Sequence, residues 1–303
     1  MKQFGIPYKG SKEKIAIDII SQLPAGNRFV DLFGGGFAMS HCALISKKYQ
    51  EVLYNDINPL LPSLIKKAIN GDYSYKVFKP KFISRDEFNA NKNKDGYIKY
   101  IWSFGNNGRS YMYGRDIEDI KRKAHDFVVF GKLDKELLSL LPELRQKVKS
   151  MDIERRRLEF VRYASKKKGV KIQNLEVLKG LQALERLECL NRIGDLENLK
   201  SLNNLKKLNN LGFANMDYRQ YEYQKGDIVY CDIPYEKTDD YGIKFDHKAF
   251  YDWAESRTYP VYFSSYPLYN DRFELIWAKE HHSILCATDN NVISYECLYW
   301  NRR

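Results

Sequence analysis

The segment "NRFVDLFGGGFAMSHCALI", residues 27–45, constrains the fold of this chain more than any other. An apolar run ends at Asp31, three glycines follow at 34–36, and helical apolar spacing comes after them. This order predicts a strand, a tight turn and a helix. Residues 51–61, "EVLYNDINPLL", predict a second strand that ends in a loop. Because strand, helix and strand at this distance are typical of a parallel βαβ unit, we expect an α/β fold.

The same alternation returns in the last third of the chain. Three apolar segments predict further core strands: "FANMDYRQY" at 213–221, "DIVYCDIPY" at 227–235 and "YPVYFSSY" at 259–266. Between the last two, "DHKAFYDWAESR" has helical spacing. The simplest architecture is therefore one sheet domain, built from 1–70 and 213–303, that is interrupted by an insert at 71–212.

The positive charge of the chain is concentrated in that insert. The chain has a formal net charge of +11. Residues 71–212 hold 31 Lys and Arg against 19 Asp and Glu, and the two flanks together hold 19 against 20. A solvated helical surface would explain this excess, but clustered basic residues also neutralise phosphates. We therefore expect the insert to bind a polyanion.

A leucine repeat closes the insert. Every third residue from 175 to 211 is Leu, except for Ile193. Since a helix turns by about 100° per residue, this spacing would carry the leucines around all its faces. The pattern favours a helix buried on several sides or short helices broken near Gly194. A leucine-rich-repeat ladder is the alternative, and a coiled coil, which needs a 3.5-residue spacing, is disfavoured.

Composition excludes several other classes of protein. No apolar run approaches the roughly 20 residues of a membrane span, and there is no signal-peptide pattern. Five cysteines without a C-x-x-C pair form neither a disulfide framework nor a zinc ribbon. His281, His282 and Cys286 lack a second ligand cluster, so we expect no metal. We expect a cytoplasmic protein.

Two features at the predicted strand ends suit a nucleoside cofactor. Glycines let the backbone approach a ligand closely, and the turn at 34–36 follows a strand, where open α/β sheets bind ligands. Asp56 follows the second strand, where a carboxylate can accept hydrogen bonds from both ribose hydroxyls. A plain turn at 34–36 and an Asx turn before Asn58-Pro59 are the structural alternatives.

Six motifs in order resemble the Dam-type S-adenosylmethionine-dependent N6-adenine DNA methyltransferases. They are "IPYKGSKEKI", "FVDLFGGGF", "YNDIN", "FANMDYRQ", "CDIPY" and the late strands "FSSY" and "ECLYWNR". Within the insert, "NNGRSYMYG" and "FVVFG" are similar to the Asn- and Gly-rich recognition segment of the family. The resemblance implies a Rossmann-like methyltransferase sheet with helices on both faces and a basic, mainly helical DNA target-recognition insert.

The resemblance also implies the residues of a cofactor site. S-adenosylmethionine would be bound by Tyr8, Lys12, Asp31, Phe33, Gly34, Gly36, Asp56 and Asp217. Of these, Asp217 stands in the segment that holds the cofactor adenine in the family.

The catalytic motif "DIPY" departs from the family's Asp-Pro-Pro-Tyr at one position. Asp232 and the carbonyl of Ile233 would accept the two N6–H bonds of adenine and so stabilise the positive charge that develops on nitrogen. Ile233 keeps that carbonyl, and Pro234 restrains residue 233 to an extended conformation. Tyr235 would stack on the flipped base. The variant motif is therefore expected to work.

Double-stranded DNA is the partner that the resemblance implies. Its phosphates would meet Asn107, Arg109, Lys121, Arg122, Lys123, Arg155, Arg156 and Arg157. A cognate restriction endonuclease is a further partner to expect, and the oligomeric state is open. The alternatives are an RNA or protein-glutamine methyltransferase with the same cofactor fold, or a DNA-binding relative without catalysis. The basic insert favours nucleic acid, and Asp232 with Tyr235 favours catalysis.

Overall fold

A computed structural model describes residues 4–146, 151–166, 195, 197–236, 245–269, 271–282 and 293–303. The chain divides into two compact units. We call Met1–Lys66 with Leu205–Arg303 the sheet unit, and Lys67–Asn204 the helical unit.

The described part of the sheet unit contains a seven-stranded sheet in the order β3-β2-β1-β4-β5-β7-β6. The strands are β1 (Gly26–Asp31), β2 (Tyr49–Asn55), β3 (Leu211–Ala214), β4 (Asp227–Asp232), β5 (Val261–Ser265), β6 (Glu274–His282) and β7 (Ile293–Trp300). The first five in this list pair in parallel, and β7 runs antiparallel to both β5 and β6. The α/β fold expected from the sequence is thereby confirmed.

The strand order places a ligand site between β1 and β4. From β1 the chain builds the sheet outward through β2 to β3, and it then returns to add β4 on the other side of β1. Open α/β sheets bind ligands at such a switch point, beyond the carboxyl ends of the strands. Asp31 ends β1 and Asp232 ends β4, so both lie at this edge.

The composition of the central strands explains why they lie inside the unit. All of β5 is buried, and so are the first five residues of β4. Such continuously buried, largely apolar runs are typical of parallel strands that are covered on both faces. The sheet unit also contains α1 (Ala16–Gln22), α2 (Ala38–Ser46), most of α3 (Leu60–Asn70) and α8 (His247–Ser256). Helix α2 packs on β1, β2 and α1.

The helical unit has its own buried core. Its helices are α4 (Arg85–Asn91), α5 (Glu118–Phe130), α6 (Lys135–Leu140) and α7 (Ile153–Lys166), and α5 packs against α7. Short helical turns occupy Tyr97–Ile101, Phe104–Asn106, Pro142–Gln146 and Leu202–Lys207. Trp102, Phe88 and Phe160 are fully buried among them.

Two sequence predictions differ from this structure or lie outside it. The predicted strand 213–221 is wrong beyond Ala214: Met216 N donates to the Asn55 side chain, and Asp217 caps a 3-10 turn at Tyr218–Gln220. Most of the leucine repeat, 175–194, lies outside the described residues. Three later members of the repeat, Leu199, Leu202 and Leu205, are buried.

Candidate active site

The glycine turn is packed between two tyrosine rings. A Cβ atom on Gly34 would lie 2.1 Å from the Tyr54 ring, and one on Gly36 would lie 2.6 Å from Tyr8 Cβ. Gly35 has a φ of 44°, and the Tyr54 hydroxyl donates to its carbonyl at 2.8 Å. Close internal packing therefore requires glycine at 34 and 36, and the turn keeps Tyr8 beside the carboxyl ends of the strands.

Asp56 anchors this turn from the end of β2. Its Oδ2 accepts from Gly35 N at 2.9 Å, and its Oδ1 accepts from Asn58 N at 2.8 Å. The second bond is the Asx turn that the sequence left as an alternative. Burial raises the pKa of Asp56 to about 6, although both backbone bonds oppose the rise. Each carboxylate oxygen has two lone pairs, so the turn leaves Asp56 able to accept further hydrogen bonds.

Asp31 lies beneath the site rather than on its surface. It is fully buried, and Ser40 Oγ donates to its Oδ2 at 2.6 Å. Burial raises its pKa to about 7, and the charges of Asp232 and Asp56 raise it further. The Asp31 side chain has no exposed surface in this structure, so its contact with a cofactor stays a prediction.

Phe33 and Asp217 occupy the neighbouring part of the same edge. The half-buried Phe33 ring packs against Tyr218, with ring centroids 5.3 Å apart. Asp217 forms an ion pair with Arg219 at 2.6 Å and also accepts from Arg219 N. The carboxylate of Asp217 is thus held by Arg219, and an adenine ring would have to share it.

Lys12 connects the catalytic motif with β7. Its ammonium nitrogen lies 2.8 Å from Asp232 Oδ1, 3.2 Å from Glu296 Oε1 and 4.4 Å from the centroid of the Tyr235 ring. The Tyr235 hydroxyl donates to the same Glu296 oxygen. Lys12 was predicted to bind the cofactor, but in this structure its ammonium group pairs with the catalytic motif.

Burial and charge act in opposite directions on these groups. Burial lowers the pKa of Lys12, but the charges of Asp232 and Glu296 outweigh it, so the net shift is upward and Lys12 stays cationic. Burial raises the pKa of Asp232, and Lys12 limits that rise. Burial, with the charge of Asp232, also raises the pKa of Glu296 to about 7. Lys12 therefore favours the ionised form of Asp232.

The rest of the "DIPY" motif is fixed by the core and by α8. The Ile233 side chain is buried in the cluster that contains Val229 and Phe250. His247 Nε2 donates to the Pro234 carbonyl at 2.7 Å. Isoleucine in place of the family's proline thus contributes a core side chain, while the backbone at Pro234 is held by a hydrogen bond.

Three residues of this site were not predicted from the sequence. Glu296 lies within an apolar strand segment, and no motif spacing connects it with Lys12. Tyr266 follows β5, and its ring centroid lies 4.7 Å from that of Tyr235. Its place in the "FSSY" motif is the sequence feature that could have indicated it. His247 is the first residue of α8. Its hydrogen bond to the Pro234 carbonyl depends on where α8 lies in the folded protein, and no sequence motif indicates that position.

The charge of this edge suits a cationic ligand. The pKa values of Asp31, Asp56, Asp232 and Glu296 are all raised. Within the described part of the chain, Lys12 is the lysine whose charge opposes this rise, at Asp232 and Glu296. A ligand that carries positive charge would stabilise their ionised forms. S-adenosylmethionine has a sulfonium and an ammonium group, so these carboxylates fit that cofactor. Among the described residues, no group of three or more His, Cys, Asp or Glu could hold a metal ion.

In the helical unit, burial and hydrogen bonds distinguish the residues of the predicted DNA surface. Lys121 is 0% exposed, so the described surface gives no support to its predicted contact with phosphate. Arg156 donates to the carbonyls of Val128 and Val129 at 2.7 and 2.8 Å, and so satisfies the last turn of α5. Its guanidinium group therefore has a structural role, because removing it would leave helix carbonyls without a partner.

The other predicted basic residues fall into two groups. Arg122 and Lys123 pair with Asp119, and Lys123 also pairs with Glu136. Arg109 and Arg155 are exposed, and Arg157 is half-buried. Asn107 shapes the loop before Arg109, because its Oδ1 accepts from Arg109 N at 2.8 Å. Arg109 and Arg155 are thus the best placed to reach a phosphate.

The doubly wound sheet, with a polar cluster at its switch point, defines an α/β enzyme of the Rossmann-like type. Residues 8–263 match the family of D12 class N6 adenine-specific DNA methyltransferases. The chain belongs to this family and is a transferase that methylates adenine in DNA at N6. The resemblance inferred from the six motifs is confirmed. No helix in the described part of the chain is long and apolar enough to cross a membrane.

Proposed function

We propose that the chain methylates adenine at a specific site in double-stranded DNA, with S-adenosylmethionine as the methyl donor and Asp232 as the catalytic acceptor. The observation that carries this proposal is the position of Asp232. Its carboxylate lies at the carboxyl end of β4, beside the switch point, with Lys12 Nζ 2.8 Å from Oδ1. A half-buried carboxylate whose ionised form is favoured by a lysine is suited to accept a hydrogen bond from an amine.

The residues around the glycine turn would hold the cofactor. Asp56 would accept from the ribose hydroxyls, and Phe33 and Tyr8 would flank the ligand as apolar walls. When bound, S-adenosylmethionine supplies an electrophilic methyl group on a positively charged sulfur. Asp217 would contact the adenine ring on the side where Arg219 now holds its carboxylate.

The protein has to activate a poor nucleophile. The lone pair of the adenine N6 atom is delocalised into the ring. Asp232 and the Ile233 carbonyl would each accept one N6–H bond, which favours the pyramidal nitrogen and the positive charge of the transition state. The buried Ile233 side chain and the His247 bond to Pro234 hold both acceptors in place before the base arrives.

Tyr235 would hold the base in position. The reacting amine cannot be reached inside a duplex, so the adenine must leave the stack. Since Lys12 lies over one face of the Tyr235 ring, a base that stacks on this ring must use the face away from Lys12. Stacking of this kind contributes about 1–3 kcal/mol per base.

The helical unit would supply the DNA contacts. Arg109, Arg122 and Arg155 are its exposed predicted phosphate ligands, and of these Arg122 pairs with Asp119. Residues 71–212 hold the excess positive charge of the chain. These contacts would position the protein on DNA, since phosphate contacts fix its register without reading the sequence. We assign target recognition to this unit because it holds the segment that resembles the family's recognition segment. A cognate restriction endonuclease is a further proposal, which rests on the resemblance alone.

Expression in a host without DNA methylation tests the proposal. Sequencing that detects N6-methyladenine should find modification at one recurrent sequence. DNA from cells that express the Asp232→Asn variant should remain unmodified. Unmodified DNA from the wild-type culture, with soluble protein present and S-adenosylmethionine bound in vitro, would contradict the proposed activity.

A further inference from the structure

Glu296 is a buried charged residue that the proposed reaction does not yet use. It lies in β7, which pairs with β5 on one side and β6 on the other, and it is 7% exposed. Burial of an ionised carboxylate is costly unless the group is paired and hydrogen-bonded. Its position in a sheet strand therefore requires an explanation from its contacts.

Those contacts lead to two residues of the candidate active site. Glu296 Oε1 lies 3.2 Å from Lys12 Nζ and accepts a hydrogen bond from the Tyr235 hydroxyl. Lys12 Nζ in turn lies 2.8 Å from Asp232 Oδ1. One oxygen of Glu296 thus holds the partner of the catalytic carboxylate and the ring that would stack on the base.

We propose that Glu296 is a positioning residue for methyl transfer, which orients Asp232 through Lys12 and the Tyr235 ring through its hydroxyl. The proposal rests on the proposed function of this site and adds a residue to it. Without Glu296, the Tyr235 ring could rotate about its side-chain torsions, and Lys12 would pair with Asp232 alone. Acceptor and ring would then no longer be fixed relative to each other.

The charge of Glu296 also sets how strongly Lys12 binds Asp232. An ionised Glu296 competes for the ammonium group, which leaves Asp232 a better acceptor for the N6–H bond. When Glu296 takes up a proton, the competition ends and Asp232 accepts more weakly. The transfer rate should therefore rise with pH. Burial and the charge of Asp232 place the pKa of Glu296 at about 7 in the ligand-free protein, and a bound cationic cofactor should move the midpoint of the rise below that value.

The groups whose charges bear on this arrangement come from three parts of the sheet unit. The residues are Lys12 from the amino-terminal segment, Tyr230, Asp232 and Tyr235 from β4 and the loop after it, and Cys297 from β7. Burial raises the pKa of the Tyr230 and Cys297 side chains. Both stay neutral at pH 7. Asp31, at the end of β1, is a further titrating group, because burial raises its pKa to about 7 and the charge of Asp232 acts on it. Loss of the pH-dependent rise in Glu296→Gln would assign that rise to Glu296 rather than to Asp31.

Three variants of the full-length chain test the proposal. Glu296→Gln keeps the shape and one acceptor oxygen but removes the charge, and Glu296→Ala removes the contacts as well. Glu274→Gln is the matched control, because it changes an exposed glutamate on the neighbouring strand β6. The measurement is single-turnover transfer of labelled methyl to a DNA duplex between pH 5.5 and 9, beside cofactor affinity by calorimetry.

We expect transfer at pH 8 to fall about 10-fold in Glu296→Gln and about 100-fold in Glu296→Ala, within the range for residues that orient a reacting group. Cofactor affinity should stay unchanged, and Glu274→Gln should match the wild type. The rise of the transfer rate with pH should disappear in Glu296→Gln. If this variant keeps the wild-type rate and pH profile, Glu296 has no positioning role.

A double-mutant cycle separates positioning from a general structural effect. Tyr235→Phe removes only the hydroxyl that donates to Glu296. Because Tyr235→Phe removes the donor and Glu296→Ala removes the acceptor of the same hydrogen bond, their combination should cost little more than the larger single change. Fully multiplicative losses would overturn the proposed link between the two residues. A wild-type enzyme without any transfer would refute the proposed function instead.

Discussion

Replacement of Lys12 by methionine should destabilise the protein by an amount that depends on pH. Methionine fills a similar volume but leaves Asp232 and Glu296 without their shared cation. With an effective dielectric constant of about 20, charges at 2.8 and 3.2 Å attract by about 6 and about 5 kcal/mol before any desolvation is counted. Burial of the ammonium group offsets much of this. The net loss should be about 3–5 kcal/mol when both carboxylates are ionised.

Protonation of the carboxylates changes that loss. The folded-state pKa of Glu296 is about 7, above its ordinary value, so the folded wild type loses stability as pH rises through that interval. Without Lys12 the pKa values of Asp232 and Glu296 rise further. The free energy of unfolding of the variant therefore continues to fall up to a higher pH than that of the wild type. As pH falls, the two carboxylates of the variant take up protons and no longer need the cation, so its deficit should be smaller at pH 5 than at pH 8.

Urea unfolding at pH 5 and pH 8 measures this difference. Tryptophan fluorescence reports mainly on the sheet unit, which holds three of the four tryptophans: Trp253, Trp277 and Trp300. Lys14→Met is the matched control, because Lys14 is exposed two residues away, and it should be neutral at both pH values. Equal deficits for Lys12→Met at pH 5 and pH 8 would refute the proposed charge pairing.

Three further predictions concern the cofactor, the DNA and the base. Asp56→Asn should weaken S-adenosylmethionine binding by about 1.5–3 kcal/mol per lost charge-assisted bond while keeping the Asx turn. Unchanged affinity in calorimetry would show that Asp56 does not bind the cofactor. Arg155→Ala should lower the slope of log K against log salt for DNA binding by about 0.9, and the control Lys248→Ala in the sheet unit should leave it unchanged. Equal slopes for the wild type and Arg155→Ala would show that Arg155 makes no phosphate contact. Tyr235→Ala should slow transfer to a paired adenine more than to a mismatched one, because less unstacking is then required; equal losses on both substrates would argue against a role in base flipping.

The sheet and its glycine turn could be predicted because local pattern and packing agree there. The apolar run before Asp31, the glycines at 34–36 and the helical spacing after them each favour the structure that is found. The prediction failed at 213–221, where the aromatic residues suggested a strand. In the structure, the Asn55 side chain accepts from Met216 N and the Asp217 side chain caps the turn that follows. The bond to Asn55 is a long-range contact, which leaves no periodicity in the sequence.

The candidate site shows the same limit. Motif order indicated Asp232, Tyr235 and Asp56, since each stands at a predicted strand end. Glu296 could not be found this way, because its role depends on a distance of 3.2 Å to Lys12, 284 positions earlier in the chain. In the helical unit, the basic tracts looked equivalent in sequence. Only burial separates Lys121 and the helix-bound Arg156 from the exposed Arg155.

Single-turnover transfer of labelled methyl by the Asp232→Asn variant tests the central claim most directly. Asparagine keeps the shape of the side chain and one acceptor oxygen but removes the charge that Lys12 pairs with. We expect the rate of transfer to adenine N6 to fall at least about 10²–10³-fold, as for the loss of a preorganised electrostatic contact, while S-adenosylmethionine still binds. Asp271→Asn, an exposed change in the same unit, should leave the rate unaltered. Wild-type transfer by Asp232→Asn would contradict the account, because Asp232 would then not be the catalytic acceptor.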